Sequence, residues 1–142
     1  MKFSDIMDIA ASGLRAQRTR MTVTASNIAN AQTTRTREGG PYRRRDPVFK
    51  VESIGDGFAS KLDRKIHSVD VSRIVVDSRD PITRYLPDHP DANEQGYVEF
   101  PNVNLIEEQA NLVGASRGYQ ANLLVMQKLR SMTEALLRVG QQ

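Results

Sequence analysis

Met7, Leu14, Met21 and Ile28 recur every seven residues through the first part of the chain. Phe3, Ala10, Gln17 and Thr24 interleave with them as a second row that is mostly small or polar. A sustained seven-residue repeat marks a helix laid along another helix, with a left-handed supercoil. Residues 4–30 are therefore predicted to form one long amphipathic helix. Ser4 is placed to cap it, and Asp5 and Asp8 favour the positive end of its dipole. At ~1.5 Å per residue such a helix is roughly 40 Å long. That is too long to be buried within a chain of 142 residues.

The other end of the chain shows the same habit. Leu112, Ala115, Tyr119, Asn122, Leu123, Met126, Leu129, Leu136 and Val139 form a stripe at three- and four-residue steps, predicting a helix over residues 104–139. Gly114 and Gly118 each weaken it by about 1 kcal/mol relative to Ala, and Gly140 can end it. The segment between is different in kind. All six prolines (41, 47, 81, 87, 90 and 101) fall there, as do Gly39-Gly40 and Gly55-Asp56-Gly57. Short β-like runs are predicted at residues 42–51, 58–62, 66–77 and 96–100. In the third run Val69 and Val71 share one face, whereas Ile74 and Val76 share the other. The change of phase at Ser72-Arg73 predicts a bulge.

The fold class expected is α+β, mainly α. The N- and C-terminal helices pair as a coiled-coil-like hairpin, and a small β-rich insertion lies between them. The expected parts are residues 1–33, 34–103 and 104–142. Two long helices with narrow seams bury little surface in one chain, which is the character of an assembly element whose ends order on polymerisation. The apolar content of 39%, with four Tyr, four Phe and no Trp, allows only a thin core.

Composition also restricts chemistry. No Cys is present, so disulfides, thiol nucleophiles and Cys-ligated zinc are excluded. His67 and His89 stand in no metal-ligand spacing, and no Gly-x-Ser-x-Gly or phosphate-binding Gly loop occurs. A calcium loop counted from Asp91 would place Asn93 third, Gln95 fifth and Gly96 sixth, but its twelfth position is Asn102 where a Glu is needed. That stretch reads as a turn. No catalytic residue, metal or cofactor is assigned, and the chain is expected not to be an enzyme. No run approaches the ~20 apolar residues of a membrane span, and the N-terminal residues lack the apolar centre of a cleaved signal.

The formal charge of +3 is concentrated. Arg35, Arg37, Arg43, Arg44, Arg45 and Lys50 face only Glu38 and Asp46 in the same stretch. Arg43, Arg44 and Arg45 read as an outward or subunit-facing basic strand. Nucleic-acid binding is the competing use, disfavoured because the run belongs to no recognisable nucleic-acid module. A cell-wall-active enzyme is the other competitor, and it lacks a nucleophile or metal set.

Four stretches carry a more specific signal. Ser26-Asn27-Ile28-Ala29-Asn30-Ala31-Gln32-Thr33 resembles the Asn-rich motif closing the first helix in bacterial flagellar rod, hook and hook-associated proteins. The stretch from Gly39 through Arg43-Arg44-Arg45 to Phe49 is similar to the segment that follows that motif in proximal-rod members. So is the stretch from His89 through Gly96-Tyr97-Val98 to Asn104. Ala115-Ser116-Arg117-Gly118-Tyr119-Gln120-Ala121-Asn122 resembles their C-terminal helix, although Gly114 stands where a helix-favouring residue is more usual.

The resemblance implies a structural subunit of the proximal rod of the flagellar basal body. It would polymerise through its terminal helices into a hollow drive shaft that crosses the periplasm and transmits torque to the hook. Its partners would be itself, other rod proteins and the flagellar type III export apparatus, with export by a route that cleaves no signal. No nucleic acid or membrane span is implied. On this view Met7, Leu14, Met21 and Ile28 pack against Leu112, Tyr119, Leu123, Met126 and Leu129, within or between subunits. Asn27, Asn30 and Asn122, amides at or beside this seam, are expected either to cap and solvate the helices or to fix axial register, as buried Asn does in coiled coils.

Overall fold

The structure, a computed structural model, describes residues 3–53 and 67–139, with side chains for residues 5–52 and 67–138. The β-like run expected at 58–62, the turn at 55–57, the Ser4 cap and Gly140 lie outside the described parts. In chain order the elements are α1 (Phe3–Ala29), β1 (Arg45–Ser53), β2 (His67–Val76), β3 (Ile82–Tyr85), β4 (Tyr97–Phe100) and α2 (Leu105–Val139). The architecture is α+β, mainly α, with terminal helices enclosing two small antiparallel sheets in sequence.

Local chemistry explains where the helices begin and end. The Asn104 side-chain oxygen accepts from the backbone N–H groups of Ile106 (3.0 Å) and Glu107 (3.4 Å), capping α2. Glu107 and Glu108 occupy its first turn and Arg138 its last, in line with the dipole. At the end of α1 the Asn30 amide donates to the Ser26 carbonyl at 2.8 Å. The same carbonyl accepts the Asn30 backbone N–H at 3.1 Å, so side chain and backbone of Asn30 both fold back on the last turn.

The two helices run antiparallel. Asn27 meets Glu108, Arg20 donates to Asn111 at 3.1 Å, and Gly118 lies against Gln17. At the far end Gly13 lies against Asn122. These positions step by three, four and seven along each helix, the spacing of a coiled-coil seam. The seam is made of small and polar side chains. Ala115 is fully buried at its centre, and Ala10, Ala16 and Val23 are buried along α1. Small residues let the backbones approach closely, so the core is thin and drawn out along the helix pair.

β1 and β2 pair antiparallel from Arg45↔Val76 to Ser53↔His67. The register shifts between Val48, opposite Arg73, and Phe49, opposite Val71, so Ser72 is the extra residue. This is the bulge anticipated from the change in alternation. The Val69 N–H donates to Ser12 Oγ at 3.2 Å, fastening β2 to α1. β3 and β4 form a second hairpin, closed by a loop in which Asn93 Oδ1 accepts from the N–H groups of Gln95 and Tyr97. Gly96 adopts φ 80° there, and a Cβ would sit 2.8 Å from the Tyr85 ring. Val98 of β4 is buried.

Candidate assembly interface

Asn27 comes from the last turns of α1 and is 1% exposed. Its amide nitrogen donates to the Arg45 carbonyl at 2.8 Å and to Glu108 Oε2 at 2.9 Å. Its oxygen accepts from the Tyr42 hydroxyl at 2.9 Å and from the Arg45 N–H at 3.0 Å. Two donors and two acceptor sites are all a primary amide possesses, so every one is used. The side chain thus joins α1, the segment leading into β1 and the first turn of α2.

Glu108, also 1% exposed, completes the junction. Its second oxygen accepts from Arg44 Nε at 2.7 Å, and Arg44 also bonds Asp46. Burial acts to lower the Arg44 pKa, but the bond to Glu108 and the charge of Asp46 outweigh it and hold the group above its ordinary value. A buried ion pair of this kind adds little net stability over an apolar packing, yet breaking it is costly. It does link one position of α2 to the segment before β1 and, through Asn27, to α1. A one-residue slide of α2 along α1 would strand Glu108 and Asn27 together.

The other two amides singled out in the sequence sit differently. Asn30 closes its own helix, as above. Asn122 is half-buried and fills the space left by Gly13, where a Cβ would stand 2.8 Å from its Nδ2. The basic run divides by direction. Arg44 points into the junction, Arg43 is exposed, and the Arg45 guanidinium lies 5.7 Å over the Tyr42 ring. Glu108 and Tyr42 are not picked out by sequence reasoning. A Glu in a first helical turn is what the dipole alone favours, and the usable signal is that Glu108 shares a heptad row with Ala115 and Asn122.

Met7, Leu14, Met21 and Ile28 are each half-buried, one position round α1 from the row of closest approach. Leu112, Tyr119 and Met126 hold the equivalent row on α2 and are half-buried too, as is Leu129; Leu123 is exposed. In an antiparallel pair these equivalent rows fall along the same edge. The two together make an apolar ridge beside the polar seam. Farther along α2, Leu124, Met132, Leu136 and Leu137 are exposed by 59–68%. Among the described residues no group of three or more His, Cys, Asp or Glu could hold a metal ion, and no helix is long and apolar enough to cross a membrane.

The flagellar basal-body rod protein FlgC of Borreliella burgdorferi is 41% identical over 149 residues, covering 98% of this chain and 97% of that protein. This chain belongs to the FlgC family of flagellar basal-body rod proteins. The FlgC proteins of Bacillus subtilis and Salmonella typhimurium are each 38% identical to it. The alignments cover 94% and 99% of this chain, and 95% and 100% of those proteins. Two family models match its ends. The flagella basal body rod protein family spans residues 7–35, and the flagellar basal body rod FlgEFG protein C-terminal family spans residues 94–139. Asn27 falls within the first match and Glu108 within the second, so the junction ties together the two regions that mark the FlgC chain as a rod protein. The FlgC family is one of structural rod subunits of the basal body, not of enzymes.

Proposed function

We propose that this chain polymerises through α1 and α2 into the hollow shaft of the proximal rod, where it passes torque from motor to hook. Export through the flagellar type III apparatus without signal cleavage, and passage across the periplasm, belong to the same proposal. The observation that supports it is the pairing of a polar helix seam, crossed by the Asn27–Glu108 bond, with an apolar ridge left half-covered along its edge. A torque-bearing array needs subunits whose helices do not slide, and it needs separate surfaces for neighbours. The junction of Asn27, Glu108, Arg44 and Tyr42 meets the first need. The rows containing Leu14 and Met126 meet the second, together with the exposed residues of the distal half of α2.

The test is electron microscopy of basal bodies from a strain lacking the gene, complemented with variants. Wild-type chain is expected to restore the rod and swimming. Leu14→Asp or Met126→Asp is expected to fail, because either places an unpaired charge in a packed apolar ridge. Full rods and normal swimming with both variants would refute the packing role.

A further inference from the structure

Three guanidiniums that the helix pair does not use gather beside the junction. Gly39 and Gly40 take φ values of 90° and 71°, and Thr36 donates its N–H to the Gly40 carbonyl at 2.9 Å. The resulting turn opens a cleft of about 350 Å3 whose lining includes Arg37, Arg43 and Arg45, with Glu38 as its acid. All three arginines are exposed, and among the described residues none of them forms an ion pair. Their neighbours in sequence are already engaged, Arg44 with Glu108 and Arg35 with Asp91. Three cations against one carboxylate leave a cleft that attracts anions. Guanidinium forks match carboxylate geometry in particular.

The same chain carries a complementary surface. The loop joining β3 to β4 presents Asp88 and Glu94, both exposed and, among the described residues, neither in an ion pair. The loop is held firmly. Leu86 donates its N–H to the Gly96 carbonyl at 2.9 Å, and Thr34 donates to Asp91 at 2.7 Å. Within one chain these carboxylates do not pair with the cleft. Between chains they can, and a contact joining two different faces repeats head to tail as a helical array requires.

We propose that the cleft of Arg37, Arg43 and Arg45 seats the Asp88–Glu94 loop of a neighbouring copy of this chain. The proposal rests on the rod reading and adds a contact made by the β-rich segment rather than by the helices. Exposed ion pairs are individually weak and salt-screened, so the contact adds orientation to the helix packing.

Because the chain has no Cys, introduced cysteines report without background. Arg43→Cys and Glu94→Cys are combined in one chain, and basal bodies are isolated and oxidised. A covalent dimer and higher ladder are expected from the double variant, with monomer only from either single one. Monomer alone from a double variant that is present in basal bodies would overturn the contact, as would cross-linking of Arg43→Cys to a different protein. Absence of the wild-type chain from basal bodies would instead refute the rod reading. The contact is then decided on purified full-length chain by sedimentation at low salt. R43E/R45E and D88K/E94K should each weaken self-association about tenfold, the effect of two or three exposed pairs, and mixing them should restore it. Unchanged association of both variants, or a wild-type chain monomeric at every salt concentration, would overturn the proposal. Circular dichroism of each variant shows that the fold is retained.

Discussion

Asn27 and Glu108 meet across 81 residues of sequence, and between them they leave no polar capacity of the Asn27 amide unused. Glu108→Ala should therefore destabilise the chain by about 3–5 kcal/mol, since it breaks a buried ion pair and leaves Arg44 Nε and an Asn27 amide donor without their acceptor, Asp46 remaining as the other partner of Arg44. Glu108→Gln keeps the shape and an acceptor for Asn27, and should cost less. Urea unfolding of the two variants checks both the size and the order. A second residue-scale effect concerns acid. The Arg79 side chain and N–H bond the Asp77 carboxylate and bring its pKa from the ordinary 3.8 to about 2. A carboxylate with a depressed folded-state pKa adds stability above the unfolded value and loses it as pH falls through the folded one. Asp77→Asn should thus narrow the gap in urea midpoint between pH 4 and pH 2 relative to wild type. An unchanged slope over that window would mean that the bond to Arg79 is not maintained in solution. Of these residues Asn27 is legible in the sequence, because it lies in an Asn-rich motif ending a heptad run. Glu108 is not, since its role depends on partners brought in from α1 and the segment before β1, and Asp77 is not, because its pairing with Arg79 rests on a local loop conformation that periodicity does not register.

At the scale of elements, periodicity and punctuation define both helices to within a residue or so, and the alternation of Val69, Val71, Ile74 and Val76 locates the bulge at Ser72. Seam composition is harder to read. The rows of closest approach hold Gly13, Gln17, Thr24 and Asn27 on one helix and Glu108, Ala115, Gly118 and Asn122 on the other. Apart from Ala115 such residues give no apolar signal, whereas the louder apolar rows beside them are at most half-buried. Close backbone approach selects small residues for reasons that hydrophobic periodicity does not register. The glycines of α2 separate the two cases. A Cβ at Gly118 would meet Gln17 at 3.1 Å, but one at Gly114 would meet nothing within 4 Å. Gly114→Ala should then stabilise the chain by about 0.5–1 kcal/mol, the ordinary helix-propensity gain. Gly13→Leu should cost about 1–3 kcal/mol by forcing Asn122 and the two backbones apart. Thermal unfolding of the pair should show midpoints displaced in opposite directions.

Across the whole molecule, folding and assembly draw on different surfaces. The register that sets Gly13 beside Asn122 brings Phe3 level with Met132, so the last two turns of α2 run beyond the described part of α1. Leu136 and Leu137 lie on that overhang, exposed by 68% and 63%. A chain selected only for its own stability has little reason to keep two leucines in water, whereas a surface that meets a neighbour does. Leu136→Lys combined with Leu137→Lys should leave the urea midpoint within about 0.5 kcal/mol of wild type, as for surface changes in general. The same variant should fail to enter basal bodies, because the four branch methyl groups of the leucines no longer pack and two charges would need burial. Glu108→Ala predicts the reverse balance, a large loss of stability in the isolated chain whose effect on the rod follows from misfolding. Comparing the two by unfolding and by immunodetection in isolated basal bodies separates residues that hold α1 to α2 from those that join one subunit to the next. If the paired lysines entered rods at the wild-type level, the distal half of α2 would face the lumen or solvent, and the interface would be confined to the ridge beside the seam.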